Sequence, residues 1–334
     1  MDASSKERLW GYRHALDPPF VRGFLIGLLA LLIAAPLCLW ILQISRKTPL
    51  ERRRELWARY RSWLVFVPLM VGPILLGAGW TIAAIALMSV LCYREFARAT
   101  GMFRQPAISS LVVLGILAVT FAVADHWYGL FVAITPLFIG VMAAVALCAD
   151  QPKGYIQRVA LAVFAFLLFG MCFGHLAYFA NDSQFRSILL WLILCVEFND
   201  VFAYIVGKAI GRAKLAPNTS PNKTVAGALG ALVLTTTLAA GLGAMVFSGS
   251  AVDSPLKLIT LGLIVSLSGQ LGDLTLSSIK RDLGIKDWAA TFPGHGGLLD
   301  RCNSLLFAAP AAFHYIGYLR GIGLDQVPRI FSNA

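Results

Sequence analysis

Stretches of about twenty apolar residues constrain a chain strongly, because a helix of that length crosses the roughly 30 Å hydrocarbon core of a bilayer. This chain repeats the pattern along its whole length, with apolar segments at 21–44, 63–78, 79–93, 107–124, 129–149, 157–180, 187–207, 225–248, 257–276 and 303–320. In lipid every backbone N–H and C=O needs a partner, which leaves helices and closed barrels as spanning structures, and long continuously apolar segments select helices. The expected fold is therefore all-α, a polytopic integral membrane protein with about ten transmembrane helices, eight of them convincing by length. Segments 63–78 and 79–93 are short, contain Pro68, Gly72 and Pro73, and meet at Gly77-Ala78-Gly79. They read either as two short helices about a tight turn or as one re-entrant excursion.

Charge placement agrees with a membrane protein. Only 13% of the 334 residues are charged and 58% are hydrophobic, against about 25% charged in soluble domains. The net charge of +11 does not point to nucleic acid, because the basic residues sit in short links and form no run interleaved with aromatics. Links 45–62, 94–106, 150–158, 208–224 and 277–302 hold seven, three, two, four and four Lys or Arg, whereas 125–128, 181–186 and 249–256 hold only Arg186. Basic links stay in the cytoplasm, so ten spans would place both termini outside. The link SRKTPLERRRELWARYRSW reads as an interfacial amphipathic helix with Leu56, Trp57 and Tyr60 available to lipid. The six cysteines show no CxxC spacing and read as small buried apolar residues. The first apolar segment is long enough to be a retained helix and not a signal peptide.

Three regions are expected: an N-terminal transmembrane part, 1–186, carrying the basic link 45–62; a C-terminal transmembrane catalytic part, 187–320; and a tail, 321–334. The chemistry concentrates in the second. Glu197 and Asp200 lie near the end of one span and Asp273 near the end of another. A charge within a span costs at least ~2.5–3.5 kcal/mol on insertion scales, so such residues face a partner, a metal or a water-filled cavity.

After Asp273, the stretch SSIKRDLGIKDWAATFPGHGGLLDRCNS gathers Lys280, Arg281, Lys286, Asp287, His295, Asp300 and Arg301, with Gly294, Gly296 and Gly297 among them. Phosphoryl or nucleotidyl transfer brings two polyanions together, so it needs cations for the phosphate oxygens and carboxylates for a bridging Mg²⁺. Asp273 and Asp300, 27 residues apart, form the candidate metal pair, with Lys280, Arg281 and Lys286 as phosphate ligands. A second polar loop, GKAIGRAKLAPNTSPNKTVAG, offers Lys208, Arg212, Lys214 and Lys223 with Ser220 and Thr224. It is not a Walker A loop, because Pro217 and Asn222 stand where glycines are required.

The stretch Ser277–Asn303 resembles the signature of phosphatidate cytidylyltransferases, also called CDP-diacylglycerol synthases. The matching elements are Ser277, Ile279, Lys280, Arg281, Lys286, Asp287, Phe292, Pro293, His295, Gly296, Gly297, Asp300 and Arg301. Upstream, Asn199-Asp200, the run Ser220-Pro221-Asn222-Lys223-Thr224 and Gly272-Asp273 are similar too, and Tyr93-Arg94-Glu95-Phe96 is suggestive. The resemblance implies that a phosphatidate oxygen attacks the α-phosphorus of CTP, giving CDP-diacylglycerol and pyrophosphate. It implies Mg²⁺ on Asp273 and Asp300, with room for a second, monovalent ion. Lys280 and Arg281 would join these carboxylates in catalysis. Asp200, Ser220, Lys223, Thr224, Lys286, Asp287, His295, Gly296, Gly297 and Arg301 would bind substrates. Two positions depart from the pattern: Asn303 replaces the last carboxylate of Asp-Arg-x-Asp, leaving an amide as third metal ligand, and Ala226 replaces a Glu.

The expected partners are CTP, a phosphatidate-type lipid and membrane lipids, with homodimerisation open and no nucleic acid. The expected location is a bacterial inner membrane, with the active site facing the cytoplasm. Two other readings stand beside the enzyme: a diverged, non-catalytic or altered-substrate paralogue that binds nucleotide or lipid, and an ion-coupled transporter.

Overall fold

The computed structural model describes residues 3–44, 49–291, 296–321 and 329–332. Helices α1 (Ala3–Trp10), α2 (Pro19–Ile44), α3 (Leu50–Leu76), α4 (Ala78–Thr100), α5 (Pro106–Ala124) and α6 (Tyr128–Cys148) precede an irregular helix. That helix comprises α7 (Tyr155–Ala165), a π-helical stretch Phe166–Cys172 and α8 (Phe173–Tyr178). Then come α9 (Phe185–Ile210), strands β1 (Lys214–Ala216) and β2 (Ser220–Thr224), α10 (Val225–Val246), α11 (Pro255–Asp282) and α12 (Leu298–Arg320).

Among the described residues eight helical stretches are long and apolar enough to cross a membrane: α2, α4, α5, α6, the run through α7 and α8, α9, α10 and α11. The chain is a multi-pass, all-α membrane protein. Residues 63–76 of the expected short span are the apolar half of α3, whose other half is 50–62 of the basic link. Leu50–Leu76 runs unbroken, so residues 50–62 of the link continue directly into the apolar segment. Tyr60 is half-buried and donates its hydroxyl to the Leu32 carbonyl of α2 at 3.0 Å. The span 79–93 extends to Thr100 and gains the length to cross; it ends where Gly101 adopts a left-handed conformation. Gly77, at φ 136°, makes the tight turn between α3 and α4.

Helix α12 runs through the interior. Leu305, Leu306, Ala308, Ala309, Ala312 and Phe313 are buried, and the helix packs chiefly on α11, with α8 and α4 beside it. Its far end is fixed by a buried ion pair, Arg320 to Asp182 at 2.8 Å. Inside the bundle Asp300 meets Lys280 and Arg320 meets Asp182, which explains how α12 accommodates these charges, while Arg301 is exposed. Ser89 of α4 donates to the Phe169 carbonyl, satisfying a backbone group within the π-helical stretch, where regular pairing is disturbed.

The polar segment 208–224, read as a loop, contains an antiparallel hairpin with Lys214 opposite Thr224 and Ala216 opposite Ser220. Its connection, Pro217-Asn218-Thr219, has the residue types that favour turns.

Candidate active site

The C-terminal ends of α4, α9 and α11, the hairpin and the N-terminus of α12 meet at one end of the bundle. Asp273, on the last turns of α11, forms an ion pair with Lys223 of β2 and accepts the Nδ2 amide of Asn303 from α12. Its neighbour Asp200 of α9 accepts from Ser304 Oγ at 3.2 Å and lies within electrostatic reach of Asp273, Lys223 and Arg301. Asn303 turns its carbonyl oxygen away from Asp273, to the Ser304 N–H at 2.7 Å. These side chains supply mostly hard oxygen donors, which suits a divalent cation such as Mg²⁺. No three His, Cys, Asp or Glu side chains converge among the described residues. A Mg²⁺ here would complete its shell with water and substrate phosphates, as that ion usually does.

Asp300 forms a second centre at the third position of α12. Its Oδ1 pairs with Lys280 at 2.7 Å, while Oδ2 accepts the backbone N–H groups of Trp288 and Gly297 at 3.0 and 2.9 Å. The Lys280 and Asp300 side chains are 12% and 6% exposed, so this is a buried ion pair whose carboxylate also caps a helix start. The glycines acquire a concrete reason. Gly296 has φ 77°, and a Cβ there would lie 2.8 Å from Asp300 Oδ2. A Cβ on Gly297 would collide with Glu95 Oε2. Their close backbone approach serves the protein's own carboxylates.

Glu95 is the residue that sequence reasoning left without a role. From α4 it accepts the Leu298 and Leu299 N–H groups at 3.0 and 2.9 Å and the Thr291 hydroxyl at 3.0 Å. Beside it, Phe96 packs its ring against buried Trp288 at 5.6 Å, and the Trp288 backbone reaches Asp300. The N-terminal half of the chain thus holds the loop that carries the signature. The only signal in the sequence was the Tyr-Arg-Glu-Phe run.

Other candidates divide between site and scaffold. Arg281 donates to the carbonyls of Thr219 and Ile285 at 3.2 and 3.3 Å, bracing the hairpin against α11. Thr224 is buried, and its hydroxyl accepts from Gly227 N at 3.1 Å as the N-cap of α10. Ser220 begins β2 and is half-buried; Lys286 and Asp287 are exposed. His295, with Phe292, Pro293 and Gly294, lies outside the described residues. Asn199, buried one residue before Asp200, accepts from Ser266 Oγ at 2.7 Å and Thr235 Oγ1 at 3.2 Å. It locks α9 to α10 and α11 beside the carboxylates.

The sequence model of the cytidylyltransferase family matches residues 57–319. An Escherichia coli K12 protein named "Uncharacterized protein YnbB" is 30% identical over 306 residues, 88% of this chain and 97% of its own length. A phosphatidate cytidylyltransferase of Bacillus subtilis strain 168 is 38% identical over 158 residues, 46% of this chain and 56% of its length. One from Staphylococcus aureus strain COL is 41% identical over 140 residues, 41% of this chain and 52% of its length. This chain therefore spans about half the length of the phosphatidate cytidylyltransferases it matches.

Proposed function

Because the chain belongs to the cytidylyltransferase family, we propose that it transfers the cytidylyl group of CTP to phosphatidate or a related lipid phosphate. An oxygen of the lipid phosphate attacks the α-phosphorus of CTP, the bond from that phosphorus to the β-phosphate oxygen breaks, and pyrophosphate leaves. The products are CDP-diacylglycerol and pyrophosphate, formed at the cytoplasmic face of the membrane that holds the protein.

The observation that carries this reading is the pairing of each signature carboxylate with a lysine, Lys223 with Asp273 and Lys280 with Asp300. Buried charge is tolerated when it is paired, so these pairs keep cations at the site without an uncompensated charge. Polyphosphate offers both lysines a second anionic partner, and each carboxylate is then available to a divalent ion. Asp273 and Asp300 are the residues proposed to hold Mg²⁺, with Asn303 beside Asp273; when bound, the ion supplies charge neutralisation at the phosphate oxygens. Arg301 and Lys286 add positive charge at the α12 end, and Asp200 orients Ser304 next to Asp273.

The test is direct. Purified protein in liposomes, given CTP, Mg²⁺ and dioleoyl phosphatidate, is expected to release pyrophosphate and form CDP-diacylglycerol, and Asp300→Ala to abolish both. Inactivity of the intact protein across several lipid phosphates overturns the proposal. It would favour the non-catalytic alternative, to which the Asn303 amide facing Asp273 already lends an observation.

A further inference from the structure

The first turns of α12 present two faces. Asp300, Asn303 and Ser304 turn toward the charged groups described above, whereas Leu298, Arg301, Cys302 and Leu305 line a separate cavity. The spacing of that second set, i, i+3, i+4 and i+7, is one stripe of a helix. The cavity has a volume of about 240 Å³ and lies between α3, α4, α9 and α12. An apolar cavity of about 150 Å³ already accommodates benzene.

We propose that this cavity receives an acyl chain of the lipid phosphate substrate, an inference that rests on the function proposed above. Its floor is buried and apolar: Leu189 is 0% exposed, Leu305 1%, Cys302 2% and Ile74 4%. Its outer wall opens to the surface that contacts lipid, where Leu69 and Leu87 are each 61% exposed. Thr81 and Arg301 are the polar residues in the lining. Thr81 is committed to its own helix turn, donating to the Gly77 and Pro73 carbonyls at 2.8 and 3.1 Å. Away from Arg301 nothing in the walls therefore calls for water, and such a space stays dry and can take hydrocarbon.

Arg301 decides which hydrocarbon. It adjoins Asp300 in sequence and lies within electrostatic reach of Glu197 and Asp200, so the cationic end of the cavity borders the carboxylate site. The matching molecule has an apolar chain joined to an anionic head. A lipid phosphate seated this way brings its phosphate to the start of α12, where the attack on CTP is proposed. Ala84 and Met88 on α4 also line the cavity and are half-buried, which makes them the positions that set the usable chain length.

Two measurements test the inference. In the first, Ala84→Phe narrows the cavity. Its rate with dioleoyl phosphatidate is expected to fall about tenfold, the change produced by withdrawing about two methylenes from an apolar site. Its rate with a short-chain phosphatidate and its KM for CTP stay as in the starting protein. Equal losses on both lipids, or no change with either, overturn the acyl-chain assignment. In the second, the unmutated protein is photolysed with phosphatidate carrying a diazirine in its acyl chain. Labelled peptides are expected from 66–74 and 84–91, with labelling suppressed by dioleoyl phosphatidate and not by phosphatidylcholine. Equal suppression by phosphatidylcholine assigns the cavity to bulk lipid and overturns the proposal. This measurement needs no turnover, so an inactive protein that still shows selective labelling refutes the reaction while leaving the lipid site standing.

Discussion

Replacing Glu95 with Gln separates the clamp on the signature loop from the chemistry it serves. One Glu95 oxygen accepts from Leu298 N and Thr291 Oγ1, and the other from Leu299 N. Hydrogen bonds to a charged group are each worth about 1.5–3 kcal/mol net. A Gln of the same shape keeps one acceptor oxygen, and its amide NH₂ then faces a backbone N–H. One bond is lost, a donor at the α12 start goes unpaired, and a negative charge favoured by the helix dipole disappears at about 0.3–1 kcal/mol. Partial exposure lets water recover some of this, so we expect about 2–4 kcal/mol of weaker docking for residues 288–291 and 296–301. At 1.4 kcal/mol per factor of ten, amides 298 and 299 should exchange more than about tenfold faster in hydrogen–deuterium exchange. The α5 and α6 amides stay unchanged. CTP-dependent turnover should fall with kcat, while Glu95→Asp, which retains the charge, recovers part of both. Unaltered exchange at 298 and 299 in Glu95→Gln refutes the clamp.

Lys280→Met strips the buried Asp300 of its cation. Breaking such a pair costs about 3–5 kcal/mol, here nearer 3 because two backbone N–H bonds remain, and a melting temperature lower by roughly 4 °C or more checks it. Asn303→Asp restores a carboxylate next to Asp273; half-maximal activity should then require less Mg²⁺, and an unchanged or higher requirement contradicts the proposed ion site. Burial alone would raise the Asp125 carboxyl, yet hydrogen bonds from the Ser332 hydroxyl and from the Phe331, Ser332 and Ile330 N–H groups hold it below its ordinary 3.8. A group with a depressed folded pKa contributes its full stability above the unfolded value and loses it as pH falls through the folded one. Amides 330–332 should therefore be protected at pH 6 and lose that protection as the pH falls below 3.8, with Asp125→Ala unprotected throughout.

Hydrophobic length was enough to determine a multi-pass helical protein, since lipid forces each span to satisfy its own backbone and the requirement is local. The run from Ser277 to Asn303 was equally legible, because signature residues within one loop and its flanking turns keep their spacing in any packing. Even so, reading local signals separated what the fold joins: the basic link and the short apolar segment are one helix, α3, and the span taken to end at 93 reaches Thr100. The lysine partners of Asp273 and Asp300, the clamp by Glu95 and the two-faced start of α12 were decided only in three dimensions. Glu95 and Leu298 are 203 positions apart, and no periodicity or motif spacing carries a contact of that range. It exists because α4 and α12 pack together. The same packing sets the carboxylates on one side of α12 and an apolar cavity on the other.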